Sequence, residues 1–228
     1  MSDIREELCA YGRKISARGL VAGAGGNISA RDGDIIWMKP SGFAMEDMGP
    51  DDLSGVDIAT GNVARGKTRP TSEVNMHLAI YRNRPDAQAV FHTHSPWACG
   101  VLASDGELKA MFAEFVCDLG ATFTVPYITP TTEALAEAVA GAAKTADTIF
   151  MRNHGVCALG KTLKQAYYRV WVAEDAAKSL VAAKIMGNPV FLDERQRRDL
   201  AALDAPKHRV NMMAGDAPAQ SHAGAKGG

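Results

Sequence analysis

The sequence is poor in the features that mark several protein classes. Its 228 residues include only four cysteines, Cys9, Cys99, Cys117 and Cys157, and no C-x-x-C pair. Scattered in a chain of this length, they read as reduced, buried thiols of a cytoplasmic protein rather than a disulfide framework. The formal net charge is only −1, which gives no electrostatic case for nucleic acid or an anionic membrane as partner. No apolar run is long enough to span a bilayer. Nor does the N-terminus resemble a signal peptide, because Asp3, Arg5, Glu6 and Glu7 break it before an apolar segment can form. Internal repeats are absent.

What remains is ordinary globular material, 46% hydrophobic and long enough for one large α/β domain. Ile4, Leu8, Tyr11 and Ile15 recur at helical spacing over residues 4–18. Two short strands, 27–30 and 35–39, flank the turn Arg31–Asp34 as a hairpin. RPTSEVNMHLAIYRNRP reads as a helix with Thr71 or Ser72 as N-cap and Pro85 closing it. DAQAVFHTH reads as a strand, and SPWACGVL as a helix with Pro96 in its first turn. The strand ATFTVPYI, the helix TEALAEAVAGAA and the strand–turn–strand DTIFMRNHGVCALG follow. The longest helix runs from near Thr162 to Met186, stopped by Gly187 and Pro189. Strands and helices alternate, so helices should cover both faces of one sheet. We expect a catalytic domain over 1–204 and a flexible tail over 205–228, where Gly, Ala, Ser and Lys accumulate.

The chemistry concentrates around FHTHSPW. Side chains alternate along a strand, so His92 and His94 point the same way. Two imidazoles one strand step apart can hold a late divalent metal, or can simply face solvent. His154, at the end of the strand TIFMRN and just before Gly155, can reach the same sheet edge as a third ligand or be an ordinary turn histidine. Glu73 at the start of its helix is a capping-region residue, a fourth ligand or a base. Turns at Gly26–Asn27, Ser41–Gly42 and Thr71–Ser72 offer backbone N–H and hydroxyl donors to an anion. His77 falls one helical turn after Glu73 and reads as a supporting hydrogen-bond partner rather than a ligand. Glu174 reads as a partly exposed helical glutamate.

The segments GGNISARDGDIIWMKPSG, RPTSEVNMHLAIYRNRPDAQAVFHTHSPW and RNHGVCALGKTLKQAYYRVWVAEDAA, in this order, resemble the class II aldolase/adducin family over roughly residues 4–190. The resemblance implies a three-layer α/β/α domain on a largely antiparallel sheet, and a homotetramer with active sites at subunit interfaces. It implies a metal, usually Zn2+ with Mn2+ or Co2+ as alternatives, held by His92, His94 and His154. A glutamate matching Glu73 approaches the empty metal site and acts as acid/base with substrate bound. The phosphate pocket maps onto Gly26, Asn27, Ser41, Gly42, Thr71 and Ser72.

The implied reaction is cleavage of a ketose 1-phosphate to dihydroxyacetone phosphate and an aldehyde, through a metal-stabilised enediolate. The fuculose aldolases place tyrosines where KAMFAEFVCD and KHRVNMMAG have none. That departure favours a small or deoxygenated aldehyde end, such as that of a 5-deoxypentulose 1-phosphate. Glu114 lies close to where the family's epimerases place a catalytic aspartate, so it is a candidate acid/base from a neighbouring subunit. Rival readings within the family are a pentulose-phosphate 4-epimerase, a methylthioribulose-phosphate dehydratase and a metal-dependent decarboxylase. A non-enzymatic adducin-like module would be expected to lose the ligands that this chain keeps.

Overall fold

A computed structural model describes residues 3–215. Helix α1 (Ile4–Ala17) starts where the Asp3 carboxylate accepts the Arg5 N–H, and it buries Leu8 and Ile15. Strands β1 (Asn27–Asp32) and β2 (Ile35–Met38) form the expected hairpin, closed by Gly33 at φ +62°, a conformation that favours glycine. Then follow β3 (Ser54–Asp57), β4 (Val63–Arg65), α2 (Val74–Asn83), β5 (Ala89–Thr93), α3 (Pro96–Leu102) and α4 (Ala113–Asp118). The chain continues through β6 (Thr122–Val125), α5 (Glu133–Ala143), β7 (Thr148–Met151), β8 (Gly155–Gly160), α6 (Leu163–Met186), α7 (Glu194–Ala202) and α8 (Asp204–Ala214).

The eight strands form one sheet in the order β4-β3-β2-β1-β5-β8-β7-β6. Every pairing is antiparallel except β6 with β7, which are joined through α5 as a parallel pair requires. Strand alternation sends Ile28, Ala30, Phe91, Val156 and Ala158 to one face, where they pack with Leu8, Ala98 and Val170. Val90, Cys157 and Leu159 go to the other face, against Met76, Ile80, Leu135 and Val139 of α2 and α5. This is the three-layer arrangement implied by the resemblance. No helix among the described residues is long and apolar enough to cross a membrane.

The antiparallel register brings distant turns to one end of the sheet. Asn27 at the start of β1 lies opposite His92, Ser29 opposite Met38, and Thr93 opposite Val156. The end of β5, the end of β2 and the starts of β1 and β8 therefore meet.

Four sequence expectations need correction. Residues 205–214 belong to α8 rather than to a flexible tail: Met213 is buried, and its carbonyl accepts the Thr162 hydroxyl at 2.5 Å. The rest of the expected tail lies outside the described residues. The N-cap position of α2 is Glu73, not Thr71 or Ser72, because the Thr71 hydroxyl accepts the Glu73 N–H one step before the helix begins. Glu174 is only 2% exposed; its carboxylate accepts the Trp97 and Ala98 amides at 3.0 Å each and satisfies the first turn of α3. Cys9 and Cys157 are buried as expected, while Cys99 and Cys117 are half-buried.

Candidate metal and anion site

Glu73, His92, His94 and His154 converge although α2, β5 and the β7–β8 turn supply them separately. One ligand atom from each lies within 4.8 Å of the others. His92 is the penultimate residue of β5, on the face toward α2. His94 follows just past the strand end. His154 is delivered by a tight turn in which Asn153 adopts φ +54°, a conformation asparagine tolerates. Gly155 must be glycine: a Cβ there would lie 2.4 Å from the Thr93 carbonyl oxygen and 3.2 Å from both the His92 and His94 rings.

The Nε2 atoms point inward. His92 Nε2 lies 3.0 Å from His94 Nε2 and 3.2 Å from Glu73 Oε2, and His154 Nε2 lies 3.3 Å from Glu73 Oε1. His92 Nδ1 donates to the Val156 carbonyl at 3.0 Å, which places its proton there and leaves Nε2 as a lone-pair donor. Burial lowers the His92 pKa to about 3 despite the nearby Glu73 charge, and it lowers that of His94 as well. Both rings are thus neutral imidazoles, the form that ligates metal. Burial alone would raise the Glu73 carboxyl, but the adjacent His92 and His154 rings and the hydrogen bond from Asn27 outweigh it and lower its pKa.

The donor set fits a divalent cation. Glu73 Oε1 is buried without a hydrogen-bond partner, an expensive state for a carboxylate oxygen that a cation would relieve. Three imidazoles and one carboxylate are ligands typical of zinc and its neighbours.

A cavity of about 240 Å³ opens beside this cluster, and Gly26, Asn27, Ser41, Gly42, Thr71 and Ser72 all line it with Glu73, His94 and His154. The donors differ in kind from those expected. The Ser41 and Thr71 amides are committed to the Arg69 and Lys39 carbonyls, so these residues offer an anion their hydroxyls. The Asn27 side chain is 4% exposed; its Nδ2 gives one of its two N–H donors to Glu73, and its Oδ1 faces His77. His77 lies outside the four clustered groups and hydrogen-bonds Asn27 and Ser29. Glu114 is exposed on α4 and does not line the cavity of its own chain.

Lys39, Pro130 and Thr131 line the same cavity and had not been singled out in the sequence. Lys39 is 2% exposed; the Ala24 carbonyl takes one of its three N–H donors at 2.9 Å. Its signal was present as a lysine ending an apolar strand one residue before the Pro-Ser-Gly turn. Another cavity of about 260 Å³, lined by Arg84, Asp147 and Arg169, holds ion pairs and none of the four clustered groups.

Comparison with known proteins agrees with this geometry. Residues 6–181 match the model of the Class II Aldolase and Adducin N-terminal domain. An L-fuculose phosphate aldolase of Methanocaldococcus jannaschii is 39% identical over 73% of this chain and 89% of its own. A 5-deoxy-D-ribulose 1-phosphate aldolase of Bacillus thuringiensis serovar kurstaki is 34% identical over 86% of this chain and 93% of its own. A solved L-fuculose 1-phosphate aldolase superposes with a TM-score of 0.81 at 31% identity, covering 88% of this chain and 95% of that one. With the match spanning most of its length and the histidine–glutamate cluster in place, the chain belongs to the class II aldolase and adducin family.

Proposed function

We propose that this protein is a metal-dependent aldolase that reversibly cleaves a ketose 1-phosphate to dihydroxyacetone phosphate and an aldehyde. The convergence of Glu73, His92, His94 and His154 beside a hydroxyl- and lysine-lined cavity carries this reading. His92, His94 and His154 would hold the cation, with zinc the first choice and manganese or cobalt as substitutes. When bound, the metal supplies Lewis-acid stabilisation of the negative charge that builds up as the carbon–carbon bond breaks.

The remaining roles fall to the chain itself. Ser41, Thr71 and Ser72 offer hydroxyls to the phosphate, and Lys39 offers charge, fixing the substrate so that its reacting carbons face Glu73. Retro-aldol cleavage removes the proton of the C4 hydroxyl, breaks the C3–C4 bond with its electron pair left on C3, and returns a proton to C3. Glu73, its pKa lowered and its Oε1 without a hydrogen-bond donor, is the group that would move a proton at those carbons. A small or deoxygenated aldehyde end is supported by the missing tyrosines and by the relative named for 5-deoxyribulose 1-phosphate. We infer a cytoplasmic homotetramer in which Glu114 of one subunit approaches the site of its neighbour.

The test is a panel of ketose 1-phosphates, including the fuculose and 5-deoxyribulose compounds, offered to protein loaded with zinc, manganese or cobalt. Aldehyde release that EDTA abolishes is the expected result; no cleavage of any member with any metal refutes it. A decarboxylase also occurs among the relatives, so release of carbon dioxide from a phosphorylated keto acid would redirect the reading. Absence of bound metal, and none taken up from added zinc, would favour a non-enzymatic module.

A further inference from the structure

Behind Glu73, the space between β1 and α2 holds four buried polar side chains: Asn27, Ser29, His77 and Tyr81, each at most 4% exposed. They form an unbroken line. Asn27 Nδ2 donates to Glu73 Oε2 at 2.8 Å, and Asn27 Oδ1 faces His77 Nε2 at 2.5 Å. Ser29 Oγ lies 2.7 Å from His77 Nδ1 and 3.0 Å from the Tyr81 hydroxyl.

The direction of every link follows from the first. A carboxylate only accepts, so the Asn27 NH2 group must face Glu73 and its carbonyl oxygen must face His77. That oxygen also only accepts, so His77 carries its proton on Nε2. A fully buried, neutral imidazole then has a lone pair on Nδ1, and Ser29 must donate to it. Ser29 has a single hydroxyl proton, so toward Tyr81 it accepts, and the Tyr81 hydroxyl donates. Reversing any one link sets two acceptors or two donors against each other, in a place where water cannot help.

We propose that Asn27, His77, Ser29 and Tyr81 are a one-way hydrogen-bonded relay that holds Glu73 by Oε2 and leaves Oε1 as the oxygen that exchanges protons with substrate. The relay explains an asymmetry in the site. Of two chemically equivalent oxygens, Oε2 receives the Asn27 N–H at 2.8 Å, while Oε1 has no such donor and faces the ligand atom of His154, Nε2, at 3.3 Å. It also gives a purpose to a polar line that an apolar β1–α2 contact would otherwise replace at little cost. Asn27 and His77 act through Glu73 and are positioning residues. The catalytic half of the statement rests on the aldolase reading above; the fixed polarity does not.

The two halves are therefore tested separately. Nitrogen-15 NMR of the metal-free protein at neutral pH reports which His77 nitrogen is protonated. The expected result is Nε2–H alone in the wild type and a mixture of tautomers in Glu73→Ala, where the acceptor that sets the direction is gone. A proton on Nδ1 in the wild type, or an unchanged tautomer in Glu73→Ala, overturns the relay whether or not the protein cleaves a ketose 1-phosphate. In the metal-loaded enzyme, His77→Leu lowers kcat about 10- to 100-fold with KM changed less than about threefold. His77→Gln, which keeps an N–H donor near the Nε2 position, restores part of that loss. Wild-type kcat in a folded His77→Leu, or a rise in KM alone, overturns the positioning role. Should His77→Leu fail to fold, a kcat of His77→Gln no better than that of Asn27→Leu does so as well.

Discussion

One added methyl group at Gly155 perturbs both the sheet and the candidate metal site. A Cβ at this position would sit 2.4 Å from the Thr93 carbonyl oxygen. That is about 0.9 Å short of the roughly 3.3 Å at which a carbon and a carbonyl oxygen settle. The offended atom belongs to the β5 backbone, so no side-chain rotation relieves the contact, and β8 must part from β5 at the Thr93–Val156 pair. Forced overpacking of this kind costs about 1–3 kcal/mol, or about 2–12 °C in Tm for a chain of this size. Because the same methyl presses on the His92 and His94 rings at 3.2 Å, metal affinity should fall with stability, about 10- to 100-fold. Scanning calorimetry of the metal-free Gly155→Ala protein and a competitive zinc titration measure the two effects. Gly141→Ala is the control: it adds the same methyl on α5, where nothing lies within 4 Å, and should stabilise by about 0.5–1 kcal/mol. A Gly155→Ala protein that melts with the wild type and binds zinc equally well would refute the reasoning.

Three further outcomes are expected. Lys39→Met should raise KM for the phosphorylated substrate about tenfold or more, the loss of a charge-assisted hydrogen bond, while leaving kcat nearly intact; steady-state kinetics would show the opposite split if Lys39 served the chemistry instead. Glu174→Ala leaves the Trp97 and Ala98 amides without their acceptor and should cost about 1–3 kcal/mol in urea unfolding, with Glu174→Gln recovering part. Burial lowers the His77 pKa from 6.5 to about 4, so the unfolded chain binds a proton there before the folded one does. Stability of the metal-free protein should therefore be full above the upper value and fall as pH drops toward the lower, by at most about 1.4 kcal/mol per pH unit from this group. A His77→Gln protein should show a flatter slope in that window; equal slopes in urea titrations would remove His77 as the source.

His92 and His94 were legible because strand alternation puts them on one side, and His154 because a glycine turn follows it; the β5–β8 pairing that brings them together is not local. The anion turns were legible as turns, but not in which groups they present. That depends on which amides the neighbouring strands consume, and the Arg69 and Lys39 carbonyls take those of Ser41 and Thr71. Asn27 was assigned to the phosphate loop because it sits in a glycine turn; only the register with His92 and the packing of α2 turn its amide toward Glu73. Glu174 reads as partly exposed because one-dimensional periodicity on α6 cannot show that the first turn of α3 lies against it. The short α4 and α7 carry too few turns for a clear period, and α8 owes its place to tertiary contacts at Met213.

The pairing of β5 with β8 joins residues 63 to 71 positions apart, and the four inward-facing groups straddle that pairing together with α2. Local structure forming early in either half of the chain cannot bring His154 to His92; only closure of this long loop can, and such non-local contacts are slow to form. Acquisition of metal affinity should thus mark the late step of folding, lagging the helical signal when denaturant is removed. If a metal-responsive probe and the helical signal recover with one rate constant, loop closure and helix formation share a single barrier.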